Sequence, residues 1–179
     1  GDFDIIARDI DGCTVEATAN LWEALPMALT ITDDTTVCHA YNYQVVGTAS
    51  GGIQPYTFQW GNGGSVTDTL DIIATQTETY SLEVFDYNGC TVPAERMTVT
   101  VIPLIDILVL QDTTICPDGT ATLTAQGIDG LPAYDYVWSN GETGAMISVS
   151  PSTTTTYTAT VTDQCGDQAS GDVVVDLHG

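Results

Sequence analysis

The chain has 179 residues, with 24 Asp and Glu against two basic residues, and a formal net charge of −22 at pH 7. That balance excludes a nucleic-acid partner, because phosphate binding draws on basic side chains, and it argues against direct contact with an anionic membrane surface. The two basic residues are Arg8 and Arg96; with no lysine, Lys–Asn isopeptide cross-links are ruled out, so covalent staples must come from the five cysteines.

Residues 1–25 begin with FDIIARDIDGC (3–13), an apolar run that ends in Asp, Asp and Gly. DIDG suggests a fragment of a calcium loop. Placing Gly12 at the sixth position of such a loop, however, puts Ala7 at the first ligand position and Thr18 at the twelfth. Asp, Asn and Gly serve a tight hairpin turn equally well, since Asp and Asn bond their own backbone and Gly accepts positive φ. The stretch therefore reads as a β-hairpin. NLWEALPMAL (20–29) is the nearest thing to a helical segment, but Pro26 interrupts it and it is read as strand.

Next come DTTVC (34–38), YNYQVVGT (41–48), PYTFQW (55–60), YSLEVF (80–85), DYNGC (86–90) and MTVTVI (97–102). These runs of β-branched and aromatic residues are separated by Gly, Asn, Asp and Pro, which is the pattern of short antiparallel strands. The same series then recurs. DTTIC (112–116) repeats DTTVC, and AYDYVWSNGE (133–142) repeats PYTFQWGNGG (55–64), which places Trp138 over Trp60. YTATVTDQC (157–165) repeats YSLEVFDYNGC, with its cysteine two residues early. Phe3, Tyr80 and Tyr157 are 77 residues apart, as are Asp9, Asp86 and Asp163; Pro26 and Pro103 open the two whole units. A period of this kind outranks any local assignment. It divides the chain into the C-terminal hairpin of a preceding truncated repeat (1–25) and two whole repeats (26–102 and 103–179). Units of this size with about seven short strands point to an all-β chain of small sandwiches, with Trp60 and Trp138 as core residues.

Each whole unit has one cysteine after DTT and one at its last hairpin. Equivalent placement predicts the disulfides Cys38–Cys90 and Cys116–Cys165, with Cys13 unpaired. A bond closing a loop of about 50 residues stabilises a small domain by roughly 4 kcal/mol on the chain-entropy account. Paired cysteines imply an oxidising compartment, hence export. Zinc is disfavoured, because there is no Cys-x-x-Cys spacing.

SGGIQPYTFQWGNGGS (50–65) followed by TETYSLEVFDYNGCT (77–91) resembles the SprB-type and PKD-like (immunoglobulin-like) repeats of giant Bacteroidota cell-surface proteins. The second unit departs from that pattern, since DGLPAYDYVW (129–138) lacks the double glycine. The resemblance implies tandem immunoglobulin-like β-sandwich repeats in an extended array, exported by the type IX route to the cell surface. It implies a structural segment of a fibre or adhesin stalk, serving adhesion, gliding or filament formation. Its partners would be neighbouring repeats of the same chain, with self-association into a fibre. The alternative is a carbohydrate- or protein-binding module using the aromatics of HAYNY (39–43) and YDY (134–136). No enzyme is expected: His39 and His178 lie in different units, and no nucleophile–base spacing or phosphate loop occurs.

Two further expectations concern the surface. Asp33, Asp34, Asp106 and Asp112 lie just past the unit junctions, where clustered carboxylates would suit calcium; no other cofactor is expected. DTT at 34–36 and 112–114 and DTL at 68–70 resemble the O-glycosylation signal of exported Bacteroidota proteins, which makes Thr35, Thr69 and Thr113 candidate acceptors on exposed bends.

Overall fold

Alternating β-branched and aromatic residues, punctuated by Gly, Asp and Asn, give sixteen strands in the computed structural model, which describes every residue except Gly63, Leu110 and Gly179. A first hairpin comprises β1 (Asp2–Arg8) and β2 (Thr14–Asn20). The first whole repeat holds β3 (Ala28–Ile31), β4 (Thr35–Val37), β5 (Tyr41–Ser50), β6 (Thr57–Trp60), β7 (Thr69–Ala74), β8 (Glu78–Phe85) and β9 (Glu95–Val101). The second holds β10 (Asp106–Val109), β11 (Thr113–Ile115), β12 (Ala121–Ile128), β13 (Asp135–Trp138), β14 (Met146–Val149), β15 (Thr155–Thr162) and β16 (Gln168–Leu177).

Each repeat makes the same two sheets. The three-stranded orders are β3-β5-β7 and β10-β12-β14, and the four-stranded orders are β4-β9-β8-β6 and β11-β16-β15-β13. The short strands β4 and β11 run parallel to β9 and β16, with Val37 opposite Val101 and Ile115 opposite Leu177. By Cα proximity the chain forms two compact units, Gly1–Asp33 with Gln44–Leu70 and Tyr80–Met97, and Asp34–Tyr43 with Asp71–Thr79 and Thr98–Gly179.

In the second repeat, side chains from both sheets close one core around Trp138, with Leu123, Ile147, Val149, Tyr157, Val173 and Val175. Period-two alternation along β12 and β15 puts every second residue inside. Leu29, Val45, Trp60, Ala74, Tyr80, Leu82, Val84, Met97 and Val99 are the buried apolar residues of the first repeat. Both tryptophans are buried, as their strand positions predicted, and each indole satisfies its N–H on a loop carbonyl: Trp60 Nε1 donates to Thr67 O and Trp138 Nε1 to Gly144 O, both at 3.0 Å.

Residues 20–29 do not form the single strand expected. Asn20 ends β2, 21–27 are irregular, and β3 starts only at Ala28. The carbonyl of Leu25 instead accepts the N–H of Gly52 at 2.7 Å. Proline has no N–H to offer a ladder, so the chain can turn its carbonyls toward a neighbouring loop at this point.

Candidate functional site

The three Asp-x-x-Gly turns share one construction. Asp9, Asp86 and Asp163 each donate their N–H to the carbonyl four residues on, at 3.0, 2.9 and 3.1 Å. Gly12, Gly89 and Gly166 return an N–H to the aspartate carbonyl, each at positive φ. Oδ1 of the aspartate accepts the N–H four residues on: Cys13 at 2.8 Å, Cys90 at 2.8 Å and Asp167 at 2.9 Å. The turn is thus a joint built on backbone donors, and its carboxylate is occupied by them.

In the two whole repeats the aspartate does more. Asp86 and Asp163 are each only 6% exposed, and the second oxygen reaches across to another loop. Asp86 Oδ2 accepts Ile53 N–H at 3.1 Å and Asp163 Oδ2 accepts Leu131 N–H at 2.8 Å. Burial pushes the Asp86 carboxyl up, but hydrogen bonds from the N–H groups of Cys90, Ile53 and Asn88 outweigh that and hold it below its ordinary value. The partner loops are clipped by tyrosines in matching places. Tyr56 Oη donates to Gly51 O at 2.5 Å, and Tyr134 Oη to Asp129 O at 2.6 Å.

Glycine is required where these loops pass the buried carboxylates. A Cβ on Gly52 (φ 59°) would lie 2.6 Å from Met27 Cγ and 3.0 Å from Asp86 Oδ2. One on Gly130 (φ 63°) would lie 2.7 Å from Asp163 Oδ2. The double glycine missing from the second repeat is replaced in conformation: Asp129 takes φ 59° where Gly51 takes 71°. Asp tolerates this region better than most residues.

The aspartates of the two DTT motifs also serve the backbone. Asp34 Oδ1 accepts Thr98 N–H at 2.6 Å and Asp112 Oδ1 accepts Val174 N–H at 2.8 Å, just before β4 and β11 begin. Asp106 Oδ1 accepts the N–H of its neighbour Ile107. Among the described residues, one group of three potential metal-ligating side chains converges: Asp163, Cys165 and Asp167. Asp33, Asp34, Asp106 and Asp112 are not in it. The group is committed elsewhere, since both Asp163 oxygens hold backbone N–H groups and Cys165 is bonded through sulfur.

That bond corrects the expected pairing. Cys38 is joined to Cys165, with S–S 2.09 Å and Cα–Cα 5.7 Å across 127 residues of sequence, while Cys13, Cys90 and Cys116 are free and exposed. Neither Cys38–Cys90 nor Cys116–Cys165 forms. The parallel pairing of β11 explains why. Ile115 lies opposite Leu177, so Cys116 sits past the C-terminal end of β16, whereas Cys165 precedes its first residue, Gln168. Ten strand residues separate the two, roughly 30 Å at the usual rise, and a disulfide needs Cα atoms about 4.4–6.8 Å apart. β4 has the same register against β9, which places Cys38 at the far end of that strand from Cys90.

The candidate glycan acceptors also differ from expectation. Thr35, Thr69 and Thr113 are half-buried on β4, β7 and β11, and not on exposed bends; alternation turns the neighbouring Thr36 and Thr114 outward. Of the aromatics considered for ligand binding, Tyr136 packs against the core and accepts Gly127 N–H, Tyr134 clips its loop, Tyr43 is half-buried, and Tyr41 is exposed.

No protein-family model matches the sequence, and no curated protein matches it. Solved structures do. The crystal structure of DIP-gamma IG1+IG2 superposes with TM-score 0.55 at 11% identity, covering 84% of this chain and 98% of that one. The I-band fragment I67-I69 from titin superposes with TM-score 0.54 at 11% identity, covering 100% of this chain and 75% of that one. Likeness at this identity defines the class by fold: immunoglobulin-like, all-β sandwich domains. No helix among the described residues is long and apolar enough to cross a membrane.

Proposed function

We propose that this chain is a structural segment of a long extracellular surface fibre or adhesin stalk, of the kind found in SprB-type proteins exported by the type IX route, where it serves adhesion, gliding or filament formation. The observation that carries this reading is the Cys38–Cys165 bond, which ties a strand end of one repeat to a turn of the next. A covalent link of that kind supports transmission of tension from repeat to repeat, and it requires an oxidising compartment. The acidic surface, with a net charge of −22, favours solubility and keeps separate chains apart. Calcium at Asp33, Asp34, Asp106 and Asp112, and glycans at Thr35, Thr69 and Thr113, would be accessory to this role. Melting in calcium against chelator tests the first, and intact mass of protein from its native source tests the second.

Immunogold electron microscopy of native cells, with antibody raised against residues 26–179, tests the role itself. Label along filaments outside the cell is the expected result. Label confined to the cell interior would contradict it.

A further inference from the structure

The five cysteines fall into two kinds. Cys38 and Cys116 are strand-end cysteines, following β4 and β11; Cys13, Cys90 and Cys165 are turn cysteines, within the three Asp-x-x-Gly turns. The disulfide of the described structure joins one of each kind, drawn from different repeats.

The backbone around Cys116 reproduces that around Cys38. Val37 O accepts Ile102 N–H and Ile115 O accepts His178 N–H, both at 2.9 Å. Tyr41 N–H bonds back to Cys38 O at 3.3 Å, and Gly119 N–H to Cys116 O at 2.9 Å. Ala40 and Asp118, two residues past each cysteine, share φ 58° and 61°. Cys116 is therefore held in the same turn as Cys38, with its thiol free and exposed.

The turn side shows the same correspondence. Gln164 N–H donates to Leu131 O at 3.0 Å beside Cys165, and Tyr87 N–H donates to Ile53 O at 2.8 Å beside Cys90. Leu131 lines one groove with Val37, Cys38, Tyr41, Tyr43 and Ile102. Its counterpart Ile53 is 42% exposed, and its N–H bonds the same Asp86 carboxylate as the N–H of Cys90, whose thiol is free. Cys13 and Cys90 stand at the fifth residue of their turns and Cys165 at the third, a two-residue displacement within one turn.

We propose that Cys116 forms a disulfide with a turn cysteine of a further repeat of this type, and that Cys13 and Cys90 receive strand-end cysteines from others, so that Cys38–Cys165 is one member of a series. The partner is a repeat with an Asp-x-x-Gly turn bearing a cysteine and an apolar residue at the place of Ile53. It is supplied by the same chain or by a second copy. This inference rests on the reading of the chain as part of a repeat array. The chemistry is thiol–disulfide exchange with a small-molecule or enzyme disulfide as oxidant. The Cys116 thiolate attacks the oxidant, giving a mixed disulfide and releasing one thiolate. The turn-cysteine thiolate then attacks the Cys116 sulfur and releases the second. Two protein thiols become one disulfide, and the oxidant is reduced to two thiols.

Non-reducing peptide mapping of the full-length protein from its native source, with thiols blocked at lysis, tests this. The expected result is Cys116 linked to a turn cysteine and Cys90 linked to a strand-end cysteine. Linkage to peptides outside these 179 residues, in material that migrates as a single chain, assigns the partner to the same chain. Linkage of Cys116 to Cys90 or Cys13 in material of doubled or greater mass assigns a second copy. Recovery of Cys90 and Cys116 as blocked thiols, bonds between two turn cysteines, or a Cys90–Cys116 bond within one molecule would overturn the proposal. Those outcomes leave the extracellular filament reading to be decided separately by microscopy.

Discussion

At the residue scale, the buried aspartates fix how each repeat closes. Burial pushes the Asp86 carboxyl up, but the N–H groups of Cys90, Ile53 and Asn88, with the Cys90 side chain, hold it below the ordinary value of 3.8. Its charged form is thus favoured by folding. The resulting stability is fully present above about pH 4 and is lost as pH falls through the lower, folded-state value. Asp86→Asn should flatten this dependence: urea unfolding between pH 6 and pH 2.5 should show a smaller acid-induced loss in the variant than in the parent. Equal losses would contradict the assignment. Gly130→Ala sets a carbon 2.7 Å from Asp163 Oδ2 at φ 63°, whereas Gly141→Ala meets nothing within 4 Å at φ 87°. Both pay for left-handed backbone, about 1 kcal/mol, and the first adds a clash with a buried carboxylate. Gly130→Ala should therefore destabilise by about 1–3 kcal/mol and by clearly more than Gly141→Ala in denaturant titrations. The turns themselves were legible in the sequence, since Asp, Asn and Gly at fixed offsets have few other uses. The reach of Asp86 to Ile53 and of Asp163 to Leu131 was not, because it spans 33 and 32 residues and depends on how two loops meet.

At the scale of elements, the strands and their inward faces follow from alternation, and the repeat period placed Trp60 and Trp138 in the interior correctly. Trp138→Ala should cost about 3–5 kcal/mol, the range for removing a buried tryptophan, while Tyr134→Phe should cost about 1 kcal/mol for one lost hydrogen bond. Thermal or chemical unfolding of the two variants checks both the order and the gap. Two elements escaped the sequence. The segment 20–29 was apolar enough to read as strand, yet Leu21, Trp22 and Leu25 are exposed. The other is the direction of β4 and β11. Three-residue strands carry no sign of parallel or antiparallel pairing, and a parallel register reverses which end of the sandwich their cysteines occupy. The first hairpin illustrates how context decides burial: Phe3 occupies the repeat position of Tyr157, yet it is 55% exposed against 8%.

At the scale of the whole molecule, the Cys38–Cys165 disulfide links residues of the two sequence repeats, and both cysteines lie within one compact unit. The bond spans 127 residues, so the chain-entropy relation assigns it up to about 5 kcal/mol. Cys38→Ser should lower the melting temperature, and Cys90→Ser should leave it nearly unchanged, because only the first residue is bonded within this chain. Differential scanning calorimetry under non-reducing conditions distinguishes the two, and the difference should vanish in reductant. The cysteine inventory was readable from composition, but the partners were not. Equivalence between repeats is satisfied equally by bonds within each unit and by bonds from one unit to the next. The most direct measurement is therefore non-reducing peptide mapping of the purified 179-residue chain after alkylation of free thiols. The expected result is one linked peptide pair, Cys38 with Cys165, and alkylated Cys13, Cys90 and Cys116. Recovery of Cys38–Cys90 together with Cys116–Cys165 would contradict it.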